Sequence, residues 1–161
     1  PEPALAADAA VTSARGLAVA SLSADCVLLV LADPAEGVIA TAHCGRQGLV
    51  AGIVPAVLAS MRVEGARTIR AAVGPAVCGT CYEVPAELAD EVAAVVPIAR
   101  SVGVTGAPAL DIRAGVLSQL RDGGAEIVRL VGGCTREDPS AFSYRRDKVT
   151  GRMAALVWRP A

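Results

Sequence analysis

A chain of 161 residues with 53% hydrophobic content is long enough to bury one core, so residues 1–161 read as one domain. One Phe, two Tyr and one Trp leave Ala, Val, Leu and Ile to fill that core, and a formal net charge of -1 with both signs interspersed excludes a basic stripe for nucleic acid. No apolar run approaches the roughly 20 residues that cross a bilayer, and Pro1-Glu2-Pro3-Ala4 lacks the charged start of a signal peptide, so a cytoplasmic protein with no membrane partner is expected.

The chain opens on Pro1 and reaches its first strand at Leu17, which predicts a piece of a longer protein. Apolar runs over 17–24 and 27–33 read as strands, and Pro34-Ala35-Glu36-Gly37 turns the chain into a third over 38–42. Cys26 and His43 then lie at one end of neighbouring strands. Gly45-Arg46-Gln47-Gly48 opens a helix over 49–63, with Val50, Ile53, Val54, Val57, Leu58 and Met61 on one face. A β-rich run over 68–73 stops at Gly74-Pro75, a loop follows to Val84, and Pro85 starts a helix to Val95. Asp111 caps a helix over 112–121 that Gly123-Gly124 ends. Strands over 126–131 and 153–158 flank a polar loop, 132–138, and the segment 142–147. The order βββ-α-β-α-α-β-β predicts an α+β fold, a mixed sheet with helices packed on it in layers.

Five cysteines, an odd number without a secretory signal, predict reduced thiols. Free Cys is among the most buried residue types and a lone His is often structural. Against that stands position: Cys26 and His43, the only histidine, both close apolar strands, and Asp25 precedes the cysteine. A thiolate and an imidazole can share a metal or a proton; catalytic zinc takes three protein ligands, and two are visible. Cys44 faces the other side of its strand and is a poor third. Cys78-Gly79-Thr80-Cys81 is a CxxC, a weak signal for metal or redox work, and Cys134 alone does not supply the second pair of a structural zinc site. Tyr144, Arg145 and Arg146, with Arg46 behind Gly45, are groups that bind anions, unless they simply solvate a surface turn.

Taken in order, Ser23-Ala24-Asp25-Cys26, Ala42-His43-Cys44-Gly45-Arg46-Gln47-Gly48, Gly74-Pro75-Ala76, Tyr82-Glu83-Val84, Leu110-Asp111, Cys134-Thr135, the run from Phe142 to Asp147 and Thr150-Gly151-Arg152 form a specific set. On these residues the whole chain resembles the laccase-domain family, the YfiH-like or multicopper polyphenol oxidoreductase-like proteins, also described as purine nucleoside phosphorylases. The resemblance implies a zinc site that includes Cys26 and His43, with a third ligand, a histidine, upstream of this chain. It implies a purine nucleoside and phosphate as partners: phosphorolysis of adenosine, inosine and methylthioadenosine, and deamination of adenosine. Copper, implied by the older laccase label, ranks lower, because one histidine cannot build a multicopper centre. Where the family usually carries an arginine before the last glycine of the histidine motif, this chain has Gln47, so Arg46 is expected to reach for phosphate. Asp25 is a candidate proton carrier beside the pair. Two alternatives stay open, a metal-free hydrolase or deamidase with Cys26 as nucleophile and His43 as base, and an inactive domain that binds nucleosides or proteins.

Overall fold

The computed structural model describes residues 7–161. Its strands are β1 (Ala9–Thr12), β2 (Ala18–Ser23), β3 (Val27–Asp33), β4 (Val38–Cys44), β5 (Arg70–Val73), β6 (Arg100–Val102), β7 (Pro108–Leu110), β8 (Glu126–Leu130) and β9 (Met153–Trp158). The helices are α1 (Arg46–Val50), α2 (Ile53–Val63), α3 (Ala86–Val95), α4 (Ile112–Asp122) and α5 (Tyr144–Asp147).

Alternation along β3 sets the layers. Val27, Leu29 and Leu31 are fully buried in one cluster with Leu58 and Met61 of α2 and Val116 and Leu120 of α4. Burial of each leucine contributes about 1.5–3 kcal/mol. The intervening Leu28 and Val30 face the opposite side, where Met153, Ala155 and Leu156 of β9 line the same recess. The main sheet runs β1-β4-β3-β5-β8, antiparallel except for the parallel pair β5 and β8. β2 and β9 form a separate antiparallel ribbon, joined to the sheet by the Ser21 and Thr41 hydroxyls, 2.7 Å apart. Ribbon, mixed sheet and helices stack as the expected α+β layers. No helix among the described residues is long and apolar enough to cross a membrane.

Three features depart from the expected elements. β1 precedes the first expected strand and pairs with β4; its four residues carry too little pattern to stand out. The helix expected over 49–63 is two helices, because Gly52 adopts φ +76, a left-handed conformation that interrupts the α-helical run. Between α3 and α4, where no strand was expected, β6 and β7 form a hairpin. The expected cap at Asp111 is present, its carboxylate accepting the Ala114 N–H at 2.8 Å.

Asp33, at the end of β3, is buried and accepts four backbone N–H groups: Ala35 and Glu36 at 3.1 and 3.2 Å, and Arg67 and Thr68 at 2.7 and 2.8 Å. These bonds, led by the one from Arg67, hold its carboxyl below the ordinary 3.8. The stabilisation is complete above that pH and is lost as pH falls through the depressed value. Asp33→Ala is expected to lower the melting midpoint by roughly 5–10 °C at neutral pH, with the difference from the parent shrinking in acid, as read by calorimetry across pH.

Candidate functional site

Between β2 and β3 the chain turns at Ala24-Asp25-Cys26. Asp25 stands at φ +88, a conformation that Asp and Asn enter more readily than most side chains. Its buried carboxylate accepts the Thr135 hydroxyl at 2.6 Å and the Arg145 N–H at 2.7 Å, and its carbonyl accepts the Val77 N–H at 2.9 Å. Three segments distant in sequence are thus fastened to the corner that presents Cys26. Both carboxylate oxygens are engaged, so the geometry gives Asp25 a positioning part rather than an open proton acceptor.

β3 and β4 pair in register, Val27 with Cys44 and Leu28 with His43. This places the imidazole beside Cys26 at the strand ends. His43 Nδ1 lies 3.0 Å from Asp8 Oδ1, which leaves Nε2 for the hydrogen bond with Cys26. The bond to Cys26 first, against the pull of burial, and then the bond to Asp8 raise His43 to about 9. A Cβ on Gly45 would stand 3.0 Å from Cys26 Sγ and 3.7 Å from His43 Cε1, so glycine lets the chain pass tightly behind the pair. Cys44 faces the core, fully buried, and burial pushes its thiol up to about 12. One sulfur and one imidazole nitrogen, with a carboxylate on the other ring nitrogen, are donors that suit zinc.

Cys26 opens onto a cleft of about 190 Å³ whose walls include Arg46, Val77, Tyr82, Ile112, Tyr144 and Arg145. His43 lines a neighbouring hollow, with Asp8, Ser21 and Thr41. The Arg145 guanidinium stacks 4.1 Å above the Tyr82 ring and donates from Nη1 to the Glu83 carbonyl at 3.0 Å. Arg46 begins α1 and reaches the cleft, whereas Gln47 is exposed and outside it. Tyr144 opens α5, whose first turn is capped by the buried Ser143 hydroxyl accepting the Arg146 N–H at 3.2 Å.

Arg146 is not brought to the cleft. Its guanidinium donates to the carbonyls of Thr135, Asp138 and Ala141 at 3.1, 2.8 and 2.7 Å and pairs with Asp147, and so holds the loop that carries Thr135. An arginine that binds carbonyls and one that binds phosphate are the same residue in a sequence. Tyr82, Ile112, Thr135 and Asp8 were not expected as site residues. Tyr82 and Thr135 belong to short runs already singled out; Asp8, upstream of any expected strand, carries no such signal.

A second group forms beyond the cleft wall. Cys78, Cys81, Cys134 and Glu137 bring their ligand atoms within 4.8 Å of one another, a set that could hold a metal ion. Cys134 reaches the CxxC because its segment forms a parallel bridge with Ala76, which spacing along the chain does not reveal. Cys134 alone was not expected to supply a second pair for the CxxC; the fold sets it there together with Glu137.

In sequence the chain is similar to purine nucleoside phosphorylase SCO2081 of Streptomyces coelicolor, 55% identical over 153 residues that make up 94% of this chain and 63% of that one. It is 47% identical to purine nucleoside phosphorylase Rv2149c of Mycobacterium tuberculosis over 94% of this chain and 61% of that one. The chain thus spans somewhat less than two thirds of these relatives. Its fold is similar to crystal structures of YfiH from Bacillus licheniformis (TM-score 0.82, 27% identity, 94% of this chain and 61% of that one) and of NMB0706 from Neisseria meningitidis (TM-score 0.80, 32% identity, 96% and 65%). The family model for multi-copper polyphenol oxidoreductase laccase matches residues 2–160, and the chain belongs to that family.

Proposed function

We propose that this chain serves in a zinc-dependent purine nucleoside phosphorylase that accepts adenosine, inosine and methylthioadenosine and also deaminates adenosine. The observation that carries this reading is the cleft in which Cys26, bonded to His43, shares walls with two arginines and two tyrosines. The relatives' names, purine nucleoside phosphorylase, support the phosphorylase part of this reading.

Cys26 Sγ and His43 Nε2 would hold the zinc together with a histidine from outside this chain. When bound, zinc supplies Lewis-acid polarisation of a substrate oxygen or of water. Asp8 fixes the tautomer of His43. Tyr82 and Tyr144 offer flat faces to a purine. Arg46 and Arg145 hold phosphate against the ribose carbon, where positive charge grows as the bond to the base breaks. A phosphate oxygen forms the new bond to that carbon, the base leaves with the bonding electron pair and takes up a proton, and pentose 1-phosphate remains. Arg145 is rigid at the outset, held between the Tyr82 ring and the Glu83 carbonyl. The free state of all five cysteines suits the reducing cytoplasm.

The test compares this chain with a version extended upstream, assayed for adenosine turnover in phosphate and for the zinc that Cys26→Ala removes. The extended protein is expected to carry that zinc and release adenine and inosine, and this chain to lag in both. Failure of the extended protein to bind that zinc or turn over nucleoside overturns the reading. The line Cys26, His43, Asp8 also has the order of nucleophile, base and orienting carboxylate. It supports a second reading, a metal-free hydrolase or deamidase, which rapid alkylation of Cys26 that zinc fails to block would favour.

A further inference from the structure

We infer that Cys78, Cys81, Cys134 and Glu137 form a second zinc site, structural and separate from the Cys26–His43 pair. Four protein ligands leave no open position, the mark of a structural rather than a catalytic ion. Ligand atoms around tetrahedral zinc stand roughly 3.5–3.8 Å apart, given bonds of about 2.0–2.3 Å. Here all four lie within 4.8 Å of one another, so closing onto an ion needs movements of about 1 Å or less, within reach of side-chain torsions alone.

The backbone has already gathered these groups. The Cys81 and Tyr82 N–H groups both donate to the Cys78 carbonyl, at 3.1 and 3.0 Å, curling the CxxC so that its two sulfurs converge. Thr135 N–H donates to the Ala76 carbonyl at 3.1 Å, which sets Cys134 against this turn. The Cys78 N–H points at Cys134 Sγ, 3.3 Å away, a donor that favours the thiolate. Cys81 Sγ lies 3.4 Å from Glu137 Oε1. Arg136, between two of the ligands in sequence, donates to the Cys81 carbonyl at 3.2 Å and brings positive charge beside an anion-rich group.

The donor types select the metal. Three thiolates are soft ligands that suit zinc, monovalent copper and iron–sulfur clusters. A carboxylate as fourth ligand fits zinc, which accepts sulfur and oxygen alike, better than monovalent copper, and a cluster would want a fourth cysteine. The ion would clamp loop 76–84 to loop 132–138. Those loops carry Val77 and Tyr82 of the cleft wall and Thr135, which holds Asp25, so the staple would stiffen the cleft without touching a substrate.

The test uses the reduced chain, loaded with zinc, desalted and analysed for metal, and in parallel loaded with cobalt, whose thiolate charge-transfer absorption reports sulfur ligation. Cys26→Ala is expected to keep about one zinc per chain and the cobalt–thiolate band; Cys134→Ser is expected to lose both. Glu137 is exposed, so Glu137→Gln should fold normally. It is expected to keep the band while weakening zinc at least tenfold, as read by competition with a chelator. Zinc that survives Cys134→Ser and vanishes with Cys26→Ala overturns the inference, as does a folded Cys26→Ala chain that takes up no zinc, or an affinity that Glu137→Gln leaves unchanged. A Cys78–Cys81 disulfide persisting under reductant would overturn it as well. None of these outcomes depends on nucleoside turnover, so the second site and the proposed activity stand or fall separately.

Discussion

Cys26→Ser, introduced into the upstream-extended protein, is expected to cut adenosine phosphorolysis by at least ~10³-fold while leaving the fold intact. The size follows from position. Losing a group that only orients a metal ligand typically costs about 10–100-fold, and Cys26 is the proposed ligand itself, with a hydroxyl a far poorer donor to zinc than a thiolate. Stability should hardly change, because Cys26 is only partly buried and the serine hydroxyl can still meet His43. Measured metal-free, the melting midpoint should stay within about 2 °C of the parent. Asp8→Asn belongs in the same series: it keeps the shape beside His43 Nδ1 but removes the charge, for an expected loss of about 10–100-fold. Adenine release under saturating phosphate, with zinc counted in each variant, reads out both. Parent-like turnover in a folded Cys26→Ser protein would rule out the proposed zinc site at Cys26 and His43.

Asp25→Ala should act the other way round, damaging structure first and activity through it. Alanine leaves the Thr135 hydroxyl and the Arg145 N–H without their acceptor in a buried place, and it must still adopt φ +88. Losing hydrogen bonds to a charged acceptor, together with the backbone strain, is expected to cost about 3–5 kcal/mol, or roughly 10 °C of melting temperature in a chain of this size. Asp25→Asn keeps the left-handed preference and one acceptor oxygen but turns an amide N–H toward a donor, so it should fall between alanine and the parent. Arg145 is placed by Asp25, and both variants should therefore raise KM for phosphate more than they lower kcat. Calorimetry with phosphate titrations measures both effects. An alanine variant as stable as the parent would show that the three segments meet without Asp25.

How much of this could be read from the chain depends on the range of the interaction concerned. The approach of Cys26 to His43 was legible because Cys26 stands just ahead of β3 and His43 near the end of β4, and adjacent strands of a hairpin almost dictate their neighbours. The cap at Asp111 and the poor fit of Cys44 as a ligand were legible for the same reason: each rests on a local rule about helix ends or strand faces. Gly52 was hidden inside a helical pattern, since one glycine lowers helix propensity without announcing which φ it takes. The Cys134 ligand group and the carbonyl-bound Arg146 were not legible at all. The first depends on where a loop more than 50 residues from the CxxC comes to rest; the second depends on how the irregular loop of Thr135, Asp138 and Ala141 curls around the guanidinium, which no periodicity or capping rule announces.

The hydrogen bonds of Asp25 span 110 and 120 residues of chain, and the ribbon beside them joins Ala18 to Trp158. At about 5–20 residues per second, a ribosome needs roughly 6–24 s to deliver the partners of Asp25 after making it. During that interval β3 and β4 can pair and Cys26 can meet His43, but the cleft has no far wall and the ribbon no second strand. Until β9 is made, the nascent chain therefore carries a cysteine without its cleft and the uncovered face of Leu28 and Val30, and chaperones and oxidants meet a different molecule from the folded one.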